Sequence, residues 1–494
     1  MRSRISRRGL IGSGVAASML AATGFPLRAQ PRQGGRLRMA LPGSVQTWDT
    51  RQTPDLFMLV AGIGMVFDTL TEVAADGTLK GELATGWQAS ADARVWTFAL
   101  REGVAFHNGK PFGPADVVAS LKLHKAAGSP AQPIMAQVRS IRALGKTHVQ
   151  FTLSQPNADF PYLMSDHHLL IYPAGQIAEA MEQGIGTGLY RVEHFVPGQR
   201  LQARRVQAHY KDGQAGWFDA IDLSVMNGAP DRIAALQAGR VDVIPDVPPA
   251  DAARLRSAGV QTFEAAGNGH VAFTMRTDAG PFANPDLRRA LKYAVDRPAM
   301  LRDVFGGRGS LGADHPVGPL NPFAAGIVPP PYDPDRARYN LRQAGLSSLT
   351  LKVAAPEDLG PVVDSYAAAA RAAGIRIVAD DDGADWLAVQ WAGRPTEDWI
   401  LSAAHGAGSA LNIGGWSDAR LTALLSAARE TLDTGARQAL YAQAQQEIAD
   451  EGNVVIPVFT PFTGAARPTL VRPDQIGALH RLDDARLAER WWSA

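Results

Sequence analysis

Trp96-Thr97-Phe98-Ala99-Leu100-Arg101-Glu102-Gly103-Val104, then Phe106-His107-Asn108-Gly109-Lys110-Pro111 and Ala115-Asp116-Val117-Val118, is the stretch from which the rest of the chain is read. Val95 to Leu100 alternates, with Trp96, Phe98 and Leu100 on one face, which is the period of a half-buried strand. Gly103 breaks that strand, and Asn108-Gly109 has the composition of a hairpin turn, because both residues tolerate positive φ. Pro114 stands where a helix accepts proline, at its first position, and Val117, Val118 and Leu121 then fall on its inward face.

The same alternation of strand and helix extends outward. Arg36 to Leu41, Leu201 to Ala208, Ile221 to Met226 and Val271 to Met275 read as strands. Arg232 to Ala238 reads as a short helix closed by Gly239. Asn284-Pro285-Asp286 caps a helix that carries Leu287, Ala290, Leu291, Ala294 and Val295 at helical spacing, and Asp333-Pro334 caps the next. Leu349 to Val353, Val362 to Ala373 and Ile375 to Val378 form a strand–helix–strand unit. Leu421 to Ala449 is mostly helical, and Val454 to Phe459 is a buried strand interrupted by Pro457. Mixed order of this kind predicts an α/β protein.

The first 29 residues bound where the protein works. Arg7-Arg8 precede an apolar run from Leu10 to Leu20, and Leu27-Arg28-Ala29 offers a small-residue exit. This is the layout of a secretory signal peptide, and paired arginines point to the twin-arginine route. Gln30 to Gly35, just after it, is expected to be disordered. The chain of 494 residues has a formal net charge of +1. The signal holds five arginines and no acid, so the remainder is at −4, which argues against a nucleic-acid partner. There is no cysteine, which excludes iron–sulfur clusters, c-type haem attachment and thiol catalysis carried by the chain itself. No cofactor is expected.

These blocks together resemble one family. Leu83-Ala84-Thr85-Gly86-Trp87, the Trp96 to Val104 segment, Phe106 to Pro111 and Ala115 to Val118 follow the order found in bacterial extracellular solute-binding proteins of family 5, which serve peptide and nickel ABC importers. Gly186-Thr187-Gly188-Leu189-Tyr190 resembles the family's GTGPY, with Leu189 in place of proline. Leu236 to Asp242, Pro281 to Ala290, Tyr293 to Arg297, Tyr332-Asp333-Pro334 and Ile456 to Phe459 continue the series. The resemblance implies a two-lobed periplasmic binding protein fold, type II, of the large class with an extra domain, hinged by two crossing strands. Residues 30–66, 184–270 and 460–494 would form lobe I, residues 67–183 its extra domain, and residues 271–459 lobe II. The crossings are expected near His270 to Met275 and Ile456 to Phe462.

The resemblance also implies a ligand cleft. Peptide-binding members place an aspartate three residues after a tryptophan, and the matching segment here is Trp391-Ala392-Gly393-Arg394. A guanidinium repels a peptide ammonium and pairs with a carboxylate or phosphate. The alternative for Arg394 is an internal pair with Glu397 or Asp398. Trp386, Trp391, Trp399 and Trp416 are each candidate stacking surfaces; some could be core, and one or two are expected to line the cleft. Asn412, in the family's "N…w" segment with Trp416, could bond a ligand amide or hold its own loop. Trp48 lies in the loop after the first strand, and His270 and His405 are candidate contacts beside the cleft.

Rival chemistries lack their motifs. There is no HExxH and no GxSxG elbow, and His167-His168 is the only adjacent histidine pair, whose side chains are expected to diverge. The reading is therefore a monomeric, non-enzymatic receptor in the periplasm. It would capture a peptide or peptide-like small solute and deliver it to an inner-membrane ABC permease. The alternative ligand is a nickel chelate or other anionic conjugate, and a secreted hydrolase is the remote rival.

Overall fold

Two seven-stranded sheets, each with its own apolar core, carry the two halves of the molecule. The computed structural model describes residues 31–44, 47–278, 280–384, 386–409 and 411–494. The expected signal peptide lies outside the described residues. The first sheet runs in the order Gln261–Ala265, Phe462–Ala466, Val243–Pro245, Arg36–Leu41, Ala220–Val225, Arg200–Arg205, Tyr190–Val196. Arg36–Leu41 sits at its centre, parallel to both neighbours, and its second half is buried on both faces. A strand enclosed on both sides must be apolar along its length, and Met39, Ala40 and Leu41 meet that demand.

The second sheet is built around His270–Met275, every residue of which is buried. It pairs antiparallel with Trp386–Trp391, which in turn runs parallel to Leu349–Ala354, itself parallel to Ile375–Ala379. The expected strand–helix–strand unit is this parallel pair, joined by the helix Gly360–Ala370. Trp386 is fully buried here, with ring centroids 5.3 Å from Phe273 and 5.2 Å from Tyr366. The helical stretch before the last strands is two helices, Ala419–Glu430 and Thr434–Glu451.

The opening stretch forms the expected strand, Val95–Leu100, with Trp96, Phe98 and Leu100 buried. It belongs to a separate four-stranded antiparallel sheet with Ala84–Ala89, His148–Leu153 and Val138–Leu144. Ala105 and Pro111 then pair across the Asn108-Gly109 turn, and Pro114–Lys122 is the helix. His107 ties this unit to the first sheet, its Nε2 lying 2.9 Å from the Gly188 carbonyl.

Between the two large sheets the chain crosses twice, at residues 266–269 and 460–461. The first crossing thus comes just ahead of the strand where it was expected. The crossings touch, with Thr460 N donating to Gly269 O at 2.8 Å. A Cβ on Gly267 would lie 2.4 Å from Thr460 O, so a side chain there would push the two segments apart. The segment from residue 31 departs from expectation. Residues 31–35 are ordered because their backbone finds partners: Arg32 bridges Ser493, Gly34 N donates to Trp217 O at 2.8 Å, and Gly35 N donates to Asp219 Oδ2 at 3.1 Å.

Candidate functional site

A cavity of about 320 Å³ lies between the halves, roofed by Ala392 to Pro395 and Trp399 and floored by Ile63, Asp166, His167, His168, His480 and Arg486. The floor is held by close backbone approach. Gly188 N donates to Val66 O, and a Cβ on Gly188 would stand 2.3 Å from Met65 O. Only glycine lets the Gly186-Thr187-Gly188 turn lie against residues 65–66. Thr187 Oγ1 then donates to Asp68 Oδ2 at 2.8 Å, and Ile171 N donates to Asp68 O, which strings the histidine loop along the same edge.

Asp166 shapes that loop. Its Oδ1 accepts from the His168 backbone N at 2.9 Å and from the His168 ring Nδ1 at 2.7 Å. The side chain thus mimics a backbone turn. Contrary to expectation, the two histidines do not diverge. Divergence is a property of extended strands, and the turn instead brings their ring centroids to 3.9 Å. His480, from the C-terminal segment, meets His167 edge-on at 5.2 Å. His168 Nε2 is buried without a hydrogen-bond partner among the described residues. Burial pushes His167 down to about 3 and His480 to about 4, so both imidazoles are neutral at working pH. Although burial opposes it, the positive charge that His167 gains in acid and the His168 hydrogen bonds hold Asp166 well below the usual carboxylate range.

Arg394 faces this floor from the other half. Its Nη1 donates to Ala392 O and Gly393 O, both at 3.1 Å, and the guanidinium stands 5.7 Å from the Trp399 ring centroid. No ion pair to it is found among the described residues. The internal pairing considered above is not made: Glu397 Oε1 accepts from Phe323 N at 2.7 Å, and Asp398 pairs with Arg429 at 2.9 Å. Burial lowers the Arg394 pKa, and Asp166 is the charge that opposes this. A partly desolvated guanidinium with spare donors is a site for an anion.

The other sequence candidates fall elsewhere. Trp399 lines the cavity with Arg394. Trp48 lies just beside it, packed on Phe67 and Phe195 and lining a small adjoining pocket with His167 and His168. Trp391, His270 and His405 line a different, much smaller pocket together with Leu411 and Ile413. Asn412 Nδ2 donates to Gly406 O and, at 2.7 Å, to Trp416 O, so it fastens its own loop. Trp416 is buried edge-on to His405. Asp166, His480 and Arg486 were not picked out from sequence. The Asp166-His167-His168 run was the available signal, and only the fold shows what it faces.

A second convergence of acids, Glu72, Glu82 and Glu489, is already neutralised. Lys211 and Arg486 lie among these carboxylates, each 2.8 Å from Glu82 Oε1.

Comparison with known proteins places this geometry. A glutathione-binding protein (GsiB) of Escherichia coli O1:K1 is 26% identical over 355 residues, covering 70% of this chain and 67% of that protein. Heme-binding protein A of Haemophilus influenzae is 28% identical over 313 residues, covering 57% of this chain and just over half, 56%, of that protein. Among solved structures, AgaA of A. tumefaciens R10 in complex with agropinic acid superposes with a TM-score of 0.76 at 21% identity, covering 93% of this chain and 99% of that one. The profile of one family matches residues 78–379, more than half of the chain, and the protein therefore belongs to the bacterial extracellular solute-binding proteins, family 5.

Proposed function

We propose that this receptor captures a small, peptide-like solute carrying a carboxylate, which it seats between Arg394 and the histidine floor. The observation that carries the reading is the partly desolvated Arg394 guanidinium, without an ion pair among the described residues, facing a cavity of about 320 Å³. Trp399 offers an aromatic face beside that charge. Capture needs no covalent step: the solute has only to bind the closed arrangement better than the open one. The protein therefore binds without turnover. The lobe limits proposed from sequence are supported by sheet membership, since Arg36–Leu41, Tyr190–Val196, Val243–Pro245 and Phe462–Ala466 share one sheet and His270–Met275 to Val458–Phe459 the other. Arg7-Arg8 supports export by the twin-arginine route into the periplasm.

A second reading is favoured by one observation. Ligand atoms of Asp166, His167 and His168 lie within 4.8 Å of one another, and the Nε2 atom of His168 is buried with no hydrogen-bond partner among the described residues. Neutral imidazoles, one of them oriented by a carboxylate, suit a cargo that carries a transition-metal ion.

Mass spectrometry and metal analysis of the molecule released from protein purified from its native periplasm test both readings. A carboxylate-bearing organic solute without metal supports the first, and a metal complex supports the second. A neutral or purely cationic solute overturns the role given to Arg394.

A further inference from the structure

The two halves also meet away from the cavity. Asn157 to Asp159 follow the strand His148–Leu153 of the four-stranded sheet. That loop is fixed to its own half: Asp159 N donates to Asn157 Oδ1 at 2.9 Å, Asn157 N donates to Ala93 O, and Trp96 Nε1 donates to Asn157 O at 3.2 Å. Its side facing the other half is fully engaged. Ala158 N donates to Arg429 O at 2.9 Å, Tyr441 Oη donates to Asp159 Oδ2 at 2.6 Å, and Arg437 Nη1 lies 3.3 Å from Asp159 Oδ1. Arg429 stands in the last turn of the helix Ala419–Glu430, and Arg437 and Tyr441 stand on Thr434–Glu451, both of which pack on the second sheet.

We infer that Asp159, Arg437 and Tyr441 form a latch, remote from the ligand cavity, that sets how long the lobes stay closed and therefore how tightly any solute is held. None of the three lines the cavity. All three are buried, so separating the halves breaks the Tyr441–Asp159 hydrogen bond and the Arg437–Asp159 ion pair in one movement. Apparent affinity scales with the fraction of receptor in the binding-competent arrangement. A change at the latch thus alters retention of every ligand by the same factor, whereas a change at Arg394 alters selectivity. Arg437 also stacks over Phe323 at 4.9 Å, and Tyr441 stacks on the same ring at 5.6 Å, so both donors are held in place by their own half before the lobes meet.

The absence of cysteine makes the test direct. Lys146→Cys in the turn between Val138–Leu144 and His148–Leu153 and Arg342→Cys on the other half, both exposed, take spin labels, and pulsed dipolar spectroscopy reads the interlobe distance distribution. The protein is used as purified from the periplasm. The unaltered latch is expected to give a dominant short distance. Tyr441→Phe keeps the ring on Phe323 and removes only the hydroxyl, and it is expected to lower the closed-to-open ratio about tenfold. Asp159→Asn combined with Tyr441→Phe is expected to do little more than the stronger single change, because both act on one contact. Thermal melting of each variant reports folding separately. A dominant long distance in the unaltered protein overturns the inference, as does an unchanged distribution in a folded Tyr441→Phe variant.

Discussion

Glu397→Gln should make the protein less sensitive to rising pH. Glu397 is almost fully buried, and burial, with Asp159 nearby, raises its carboxyl to about 7 from the usual 4.5. A carboxyl whose folded pKa lies above its unfolded value stabilises fully below pH 4.5, and that contribution is lost as pH rises through about 7. Converted at about 1.4 kcal/mol per tenfold change in proton activity, the gap corresponds to roughly 3 kcal/mol lost between pH 4.5 and pH 8. Glutamine preserves the acceptor used by the Phe323 backbone N–H and cannot ionise. The assay is urea denaturation of both proteins at pH 5, 6, 7 and 8. Near pH 5 the two should agree within about 1 kcal/mol, and by pH 8 the variant should be more stable by roughly 2–3 kcal/mol. Asp398, raised to about 6 by burial, and Asp68, raised to about 7 by burial, tilt both curves the same way and cancel in the difference. His270 and His405, pushed down by burial, act in the opposite sense below pH 6.5 and cancel as well. Parallel curves across the whole range would refute the reasoning.

Arg394→Ala should weaken the native solute by about 1.5–3 kcal/mol in titration calorimetry if the guanidinium bonds its carboxylate, and unchanged affinity sinks that role. Changing Arg7 and Arg8 both to lysine should trap unprocessed precursor in the cytoplasm, whereas normal periplasmic yield would show that another route exports the chain. Gly188→Ala should cost about 1–3 kcal/mol of stability, since the new methyl would meet Met65 O at 2.3 Å; an unchanged melting curve would show that the turn can yield. Trp386→Ala, which empties the middle of the second core, should cost about 3–5 kcal/mol in the same assay.

Element type and order were legible in the sequence because they depend on local periodicity and caps. Trp96, Phe98 and Leu100 alternate into a core, and Asn284 and Asp333 cap helices, each accepting from a backbone N–H two or three residues on. Chain order also revealed the family, since its blocks are turns and caps that any two-lobed member must place in series. Arg394 and Trp399 were found because they sit within one such block. The partners of Arg394 were not legible. Whether it pairs with Glu397, Asp398 or a ligand depends on Phe323 and Arg429, which are distant in sequence and claim those two acids. Nor could spacing show that His480, more than 300 residues from His167, closes the same floor.

The sequence by itself thus determined the order of secondary-structure elements and the family, properties written in short windows of residues. Tertiary structure alone decided which charges are paired, which histidines meet and where the halves touch. Those outcomes turn on desolvation and on contacts between Asp159 and Tyr441 or His167 and His480, and no local pattern encodes them.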